Sequence, residues 1–238
     1  MIVVTCEHAC PAIPRRYESL FRGRSALLTS HRGYDIGALP LARRIAKRFD
    51  ARLLSGRVSR LLVDLNRSPS HPGLHDATVR ALPDDERATI VSRYYVPLRE
   101  ATSRLVASAL ERRETALHLS VHSFTPRLDG KLRRADFGIL YDPRRGGELA
   151  LADELRRELC TRLPHFGVRK NHPYRGTADG HTTALRRRFR GRGYLGLELE
   201  LNQRWATGAS LRDVASAVVA SLACCPTLIA AAAPSDRR

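Results

Sequence analysis

The stretch Tyr194-Leu195-Gly196-Leu197-Glu198-Leu199-Glu200-Leu201-Asn202 alternates strictly between leucine and a second set of side chains. A strand places successive side chains on opposite faces. Leu195, Leu197, Leu199 and Leu201 therefore point one way, and Tyr194, Gly196, Glu198 and Glu200 the other. At an exposed sheet face, two glutamates on one side would be unremarkable. In the interior of an α/β sheet both faces are covered, and the carboxylates need partners, of which a metal with its water is a natural one. Working outward, Ile2–Thr5, Leu61–Asp64, Ala116–Val121 and Asp136–Tyr141 are apolar runs of strand length. Among them, Leu41–Phe49 carries a helical stripe of Leu41, Ile45 and Phe49, and Gly147–Arg162 reads as helix. A longer helical stretch runs from Asp84 to Arg113, with a bend expected near Pro97, and Ser210-x-x-Asp213 resembles a capping box opening the last helix. Alternating β and α elements, without a repeat or a low-complexity linker, predict a single α/β domain over 1–238 with a mostly parallel sheet. The loop Ser68–Pro83 is too short to divide it.

Bulk properties narrow the function classes. A chain of 238 residues, 43% hydrophobic and 27% charged, can bury a sizeable core without disulfides, which excludes disorder and small secreted scaffolds. Its five cysteines (Cys6, Cys10, Cys160, Cys224 and Cys225) follow no framework spacing, and no basic segment precedes the opening apolar run. Both features lead to the expectation of a cytoplasmic protein with free thiols. Val214–Ala233 is uncharged over twenty residues, but it contains Ser216, Ser221, Thr227 and Pro226, so a core helix is expected there and no membrane span. The net charge of +17 raises the question of a polyanionic partner. Only Lys47, Lys131 and Lys170 of the 41 basic residues are lysines, and the basic residues are spread over the chain. With no helix-turn-helix, zinc-finger, RNP or KH signature, no specific nucleic-acid partner is expected, and Arg186-Arg187-Arg188 reads as a solvated helix end. No nucleotide-binding loop is present.

In open α/β sheets ligands sit beyond the carboxyl ends of the strands, so polar residues that follow apolar runs are the candidates. Cys6-Glu7-His8-Ala9, Asp64-Leu65-Asn66-Arg67, Ser120-Val121-His122-Ser123-Phe124-Thr125-Pro126, Tyr141-Asp142-Pro143 and Gly196-Leu197-Glu198-Leu199-Glu200-Leu201-Asn202 meet that criterion. His8 and His122, together with an acid, match a catalytic zinc site of three protein ligands and one open position. Asp35, in His31-Arg32-Gly33-Tyr34-Asp35-Ile36-Gly37-Ala38, is the candidate third ligand, although its place before a helix also suits an N-cap. Glu7 is the alternative third ligand. Arg67 reads either as a substrate clamp or as an ion-pair partner of Asp64.

Taken together, the blocks resemble the N-formylglutamate amidohydrolase family. They are Cys6-Glu7-His8-Ala9, Asp35-Ile36-Gly37-Ala38, Val63-Asp64-Leu65-Asn66-Arg67-Ser68-Pro69, His122-Ser123-Phe124-Thr125-Pro126, Asn171-His172-Pro173-Tyr174-Arg175-Gly176 and Glu198-Leu199-Glu200-Leu201-Asn202. They stand in the family's order across nearly the whole chain. The resemblance implies a three-layer α/β/α sandwich around a mixed sheet, similar to the zinc carboxypeptidase type, and zinc-dependent hydrolysis of an amide bond. In the related peptidases the order is metal histidine, Asn-Arg for the substrate carboxylate, second metal histidine, then glutamate base; His8, Asn66-Arg67, His122 and Glu200 follow it. Two departures stand out. The peptidases carry a glutamate three residues after the first histidine, where this chain has Pro11. Formylglutamate enzymes commonly show Pro-His-Ser-Gly where this chain has Glu7-His8-Ala9-Cys10.

These readings combine into one expectation, hydrolysis of a small, carboxylate-bearing N-formyl or N-acyl amino acid. One Zn2+ is held by His8, His122 and Asp35 or Glu7, and Glu200, with Glu198 as second choice, acts as base. Asn66 and Arg67 bind the substrate carboxylate, and Asn171, Tyr174 and Arg175 belong to a loop that closes over the substrate. A zinc carboxypeptidase or amidase acting on peptides or cell-wall fragments, and a non-catalytic binding member of the fold, are the alternatives.

Overall fold

The β-branched run at the start forms β1 (Ile2–Cys6), every residue of it buried. In this computed structural model, which describes residues 1–112 and 114–232, β1 leads through a 3-10 turn (Arg15–Phe21) and the single turn α1 (Ser25–Leu28) to α2 (Ala38–Arg48). The chain then runs through β2 (Arg52–Ser55), α3 (Ala77–Arg80), α4 (Asp84–Ile90), α5 (Val96–Glu111), β3 (Ala116–Phe124), the hairpin β4 (Arg127–Leu128) and β5 (Lys131–Leu132), and β6 (Phe137–Leu140). Next come α6 (Gly146–Arg162), β7 (Val168–Lys170), α7 (His181–Arg188), β8 (Tyr194–Asn202), α8 (Gly208–Ala223) and α9 (Pro226–Ala232). Six strands form one sheet in the order β2-β1-β3-β8-β6-β7. Every pairing within it is parallel except that of β6 with β8.

The strand expected over Tyr194–Leu201 holds, runs one residue further to Asn202, and is central as β8. Leu197, Leu199 and Leu201 join Leu117, Leu119 and Val121 of β3 in the main core under α2, α6 and α8. On the opposite face, β3 carries His118, Ser120 and His122 in register with Gly196, Glu198 and Glu200. Val106, Ala109 and Leu110 of α5 and Leu185 of α7 pack with Tyr194 on that second side. With helices on both sides of a mixed sheet, the molecule has the expected α/β/α architecture. One face of the sheet is apolar. The other is lined with groups that carry protons and charge.

Three local expectations need correction. Leu61–Asp64 is not a strand: the Leu62 N–H donates to Ser59 in a turn, the Asp64 N–H donates to the Leu74 carbonyl ten residues on, and Leu61, Leu62 and Val63 pack into a separate cluster with Ile90 and Tyr95. The strand beside β1 is Arg52–Ser55, whose alternation is weaker because it lies at the sheet edge. The capping box at Ser210 and Asp213 is not one, since α8 starts at Gly208, whose φ of 59° suits glycine, and Thr207 makes no side-chain cap bond. The irregularity expected near Pro97 sits just before it as a π-turn over Val91–Tyr95. Proline lacks an N–H and crowds the carbonyl four residues back, and wider winding relieves that. The segment Val214–Ala233 is divided between α8 and α9 at Pro226, and no helix among the described residues is long and apolar enough to cross a membrane. Arg113 and Ala233, the ends expected for two helical stretches, lie outside the described residues.

Glu148, fully buried in the first turn of α6, ties three elements together. It accepts hydrogen bonds from Arg145 (2.9 Å), from Arg186 of α7 (3.1 Å), and from the backbone N–H groups of Asp142 and Gly196. Glu148→Ala leaves the buried Arg186 without its carboxylate, and a loss of about 3–5 kcal/mol is expected. Urea unfolding measures it; a loss below about 1 kcal/mol would contradict this account.

Candidate active site

His8 stands two residues beyond the end of β1, and its backbone carbonyl accepts the N–H of Asp35 at 2.9 Å, which fixes Asp35 beside it. Asp35 is therefore not the N-cap of α2; Gly37 holds that position. The Asp35 carboxylate oxygen Oδ2 lies 3.4 Å from His8 Nδ1 and 2.9 Å from His122 Nδ1, and it accepts the Ser123 N–H at 3.2 Å. The two imidazole centroids are 5.1 Å apart. His8, Asp35 and His122 thus bring three ligand atoms within 4.8 Å of one another, all buried.

The far nitrogens of both rings are also held. His8 Nε2 lies 2.7 Å from Asp64 Oδ1, and Arg60 donates to the other Asp64 oxygen at 2.8 Å. His122 Nε2 lies 2.9 Å from Ser120 Oγ, whose own proton is donated to Glu7 Oε2 at 2.8 Å. These contacts hold Nε2 of each ring in its protonated form and aim Nδ1 at Asp35, so that a cation displacing the Nδ1 protons would meet two oriented histidine ligands. The donor set fits a small divalent cation such as zinc. Glu7 belongs behind this set. It continues the alternation of β1 on the side of Thr5, and its Oε1 lies 2.8 Å from His181 Nδ1, so it groups with His118 and His181 and not with His8 and Asp35.

Glu198 and Glu200 project from β8 into the same pocket, which is lined also by Arg60, Asn66, Arg67, Tyr174, Arg175 and Asp179 and has a volume of about 140 Å³. Glu198 Oε1 is engaged by the Thr182 hydroxyl. Glu200 Oε2 is buried with no hydrogen-bond partner. Opposite Glu200 in β6 is Gly138, where a Cβ would lie 2.1 Å from the His172 carbonyl. Glycine there lets the loop bearing Tyr174 and Arg175 approach the sheet.

The sequence-based candidates separate on this geometry. The Arg67 and Arg175 guanidinium groups line the pocket with no hydrogen bond or ion pair to described residues; Asp64, the alternative partner considered for Arg67, pairs with Arg60. Asn66 lines the pocket while its Oδ1 accepts the His181 N–H at 2.7 Å. Asn171 does not line it. Its Oδ1 accepts the N–H groups of Tyr141 and Gly176, so it shapes the loop that presents Tyr174 and Arg175. Asp142, which follows β6, pairs with Arg144 outside the pocket.

The family model for N-formylglutamate amidohydrolase matches residues 1–206, from β1 through the end of β8 and every residue of the pocket. The chain belongs to the N-formylglutamate amidohydrolase family. Membership places it among hydrolases of amide bonds. Among solved structures it is similar to gene product Atu2144 from Agrobacterium tumefaciens, with 28% identity and a TM-score of 0.80 over 93% of this chain and 88% of that one. It shares its fold with N-formylglutamate amidohydrolase from Ralstonia eutropha JMP134, with 20% identity and a TM-score of 0.68 over 96% and 92% of the two chains. No curated protein matches it.

Residues that sequence reasoning missed in this family member are Arg60, His118 and His181, while Ser120 stood in a candidate stretch without a role. Arg60 stands four residues before Asp64, a spacing that could have revealed it; the others meet only in the folded sheet. Burial pushes His118 down from 6.5 to about 3. Burial acts in the same direction on His122, but the hydrogen bond and charge of Asp35 outweigh it and raise His122 to about 10. Burial raises Glu200 from 4.5 to about 8. The stability from neutral His118 is complete above pH 6.5 and is lost as pH falls toward 3. That from protonated His122 is complete below 6.5 and lost as pH rises through 10, and that from protonated Glu200 is complete below 4.5 and lost through 8. Chelator-treated protein is therefore expected to show its highest thermal midpoint between about pH 4.5 and 6.5. A midpoint still climbing from about pH 7 to 9 would contradict these assignments.

Proposed function

We propose that the protein hydrolyses the amide bond of a small N-formyl or N-acyl amino acid with one zinc ion held by His8 Nδ1, His122 Nδ1 and Asp35. The observation that carries this reading is the convergence of those ligand atoms beside a buried carboxylate oxygen, Glu200 Oε2, that has no hydrogen-bond partner among the described residues. When bound, zinc supplies Lewis acidity, making a water acidic near neutral pH and polarising a carbonyl. Glu200 takes the proton of the attacking water at Oε2 and returns it to the leaving nitrogen as the C–N bond breaks, giving a carboxylic acid and an amine. Arg67 binds the substrate carboxylate through its free guanidinium fork, and Arg175 stands ready to stabilise the developing oxyanion. Tyr174, whose hydroxyl accepts a hydrogen bond from Arg133 at 2.9 Å, forms the outer wall.

A pocket of about 140 Å³ suits a small substrate better than a folded or long peptide. A larger acyl group has room in an adjoining groove of about 530 Å³ that shares Asp35, Arg60, Ser123 and Tyr174 with the pocket. The test is a screen of zinc-loaded protein against N-formyl- and N-acetyl-glutamate, other N-acyl amino acids and short peptides, reading release of the free amino acid. Turnover of an N-acyl amino acid is expected. Cleavage of peptides alone would replace this reading with a peptidase one, and no cleavage of any would refute it.

A further inference from the structure

The loop that lines the catalytic pocket with Tyr174, Arg175 and Asp179 also lines, through Thr177, a second cavity of about 470 Å³. Five arginines reach this cavity: Arg144 and Arg145 from the turn between β6 and α6, Arg186 and Arg187 from α7, and Arg190 just after it. The run that read as a solvated helix end thus contributes two of its side chains, with Arg190 beside them, to one concave surface. Asp142 pairs with Arg144 through two hydrogen bonds of 2.9 and 2.8 Å, and the buried Glu148 serves Arg145 and Arg186. These two carboxylates leave three of the five positive charges uncompensated. Arg187 and Arg190 make no hydrogen bond or ion pair to described residues.

Part of the surface is rigid before any ligand arrives. Arg186 is buried and donates to the Gly196 carbonyl at 2.8 Å, and Arg145 donates to the Tyr194 carbonyl. Most donors of Arg144, Arg145 and Arg186 are taken by Asp142, Glu148, Thr183 and the Gly176, Tyr194 and Gly196 carbonyls, so these groups form a fixed cationic wall. The planar forks of Arg187 and Arg190, without a partner among the described residues, match the oxygens of a phosphate. A concave basic wall also concentrates anions more than a flat one does. The lining contains no aromatic side chain on which a nucleobase could stack. The volume falls within the range of small-molecule sites. We propose that this cavity is a binding site for a small, multiply charged oxyanion of the phosphate class. It is distinct from the catalytic pocket, and its existence does not depend on the reaction proposed above.

The test is calorimetric titration of the protein, without added metal and after dialysis against chelator, with inorganic pyrophosphate at constant 150 mM ionic strength, about that of physiological salt. Wild type is expected to bind one pyrophosphate per chain. Arg187→Gln/Arg190→Gln, which alters two exposed side chains, is expected to weaken binding by about tenfold or more, as loss of charge-assisted hydrogen bonds requires, whereas Arg67→Ala should leave it unchanged. In parallel, pyrophosphate should slow amide hydrogen exchange in wild-type peptides covering 177–190. Absence of saturable binding, equal binding by the double variant, loss in Arg67→Ala, or protection confined to other segments would each overturn the proposal. Displacement of pyrophosphate by a short single-stranded DNA at lower concentration would overturn it too, in favour of a nucleic-acid surface.

Discussion

Glu200→Gln is expected to retain one zinc per chain while turnover of the best N-acyl amino acid falls at least about a hundredfold, the usual scale of acid–base catalysis. The substitution is nearly isosteric, and Glu200 Oε2 has no protein hydrogen bond to lose. What it removes is the capacity to accept a proton. Glu198 is poorly placed to take over, because Thr182 already occupies its Oε1. Burial raises Glu200 to about 8 in the protein by itself, and a neighbouring cation lowers it from there. The wild-type rate should therefore rise with pH along an acid limb at or below about 8, and that limb should vanish in the variant. Elemental analysis and initial rates decide the matter. Near-wild-type turnover with zinc retained would remove Glu200 from the mechanism.

On the proposed zinc reading, His122→Ala should abolish zinc binding. One of three ligand atoms disappears, and the loss in affinity should exceed the roughly 10–100-fold typical of residues that merely orient a ligand. Asp64→Asn, which loosens His8 through Nε2 without removing a ligand, should fall within that smaller range. The fold should survive His122→Ala, because Asp35 keeps the Ser123 N–H and the Arg60 guanidinium as partners. Zinc retained in full by a folded His122→Ala protein would refute the ligand set. Affinity should also rise with pH, since an ion at His122 Nδ1 must displace the proton that Asp35 favours there.

Much of this architecture was legible along the chain because its informative segments are chemically extreme. Leucines against glutamates in Tyr194–Asn202 leave one strand period and one orientation. His8 and His122 could be paired because each directly follows or ends an apolar run at the same sheet edge. Arg52–Ser55 and Leu61–Asp64 could not be told apart in this way. Both are short apolar runs, and only pairing with β1 decides which one enters the sheet. The choice between Asp35 and Glu7 also depended on three dimensions. Adjacent to His8 in sequence, Glu7 faces the other side of His122, whereas Asp35 arrives from 27 residues away on a hydrogen bond to the His8 carbonyl. The network behind the ligands was out of reach for the same reason, because His181 meets Glu7 across 174 residues.

The two-sided character of β8 has a further consequence, for the uniformity of the folded molecules. A slip of one residue against β3 would turn Leu197, Leu199 and Leu201 toward the polar side and drive Glu198 and Glu200 into the leucine core. Each leucine moved out of its apolar surroundings forfeits about 1.5–3 kcal/mol, and a charged glutamate buried among leucines is worse still. Several such penalties approach the whole stability of an ordinary domain, about 5–15 kcal/mol. A misaligned but folded population is thereby suppressed. The oily side of the strand acts as a proofreading device for the aqueous side, so that molecules which fold at all carry Glu198 and Glu200 on the side of the pocket.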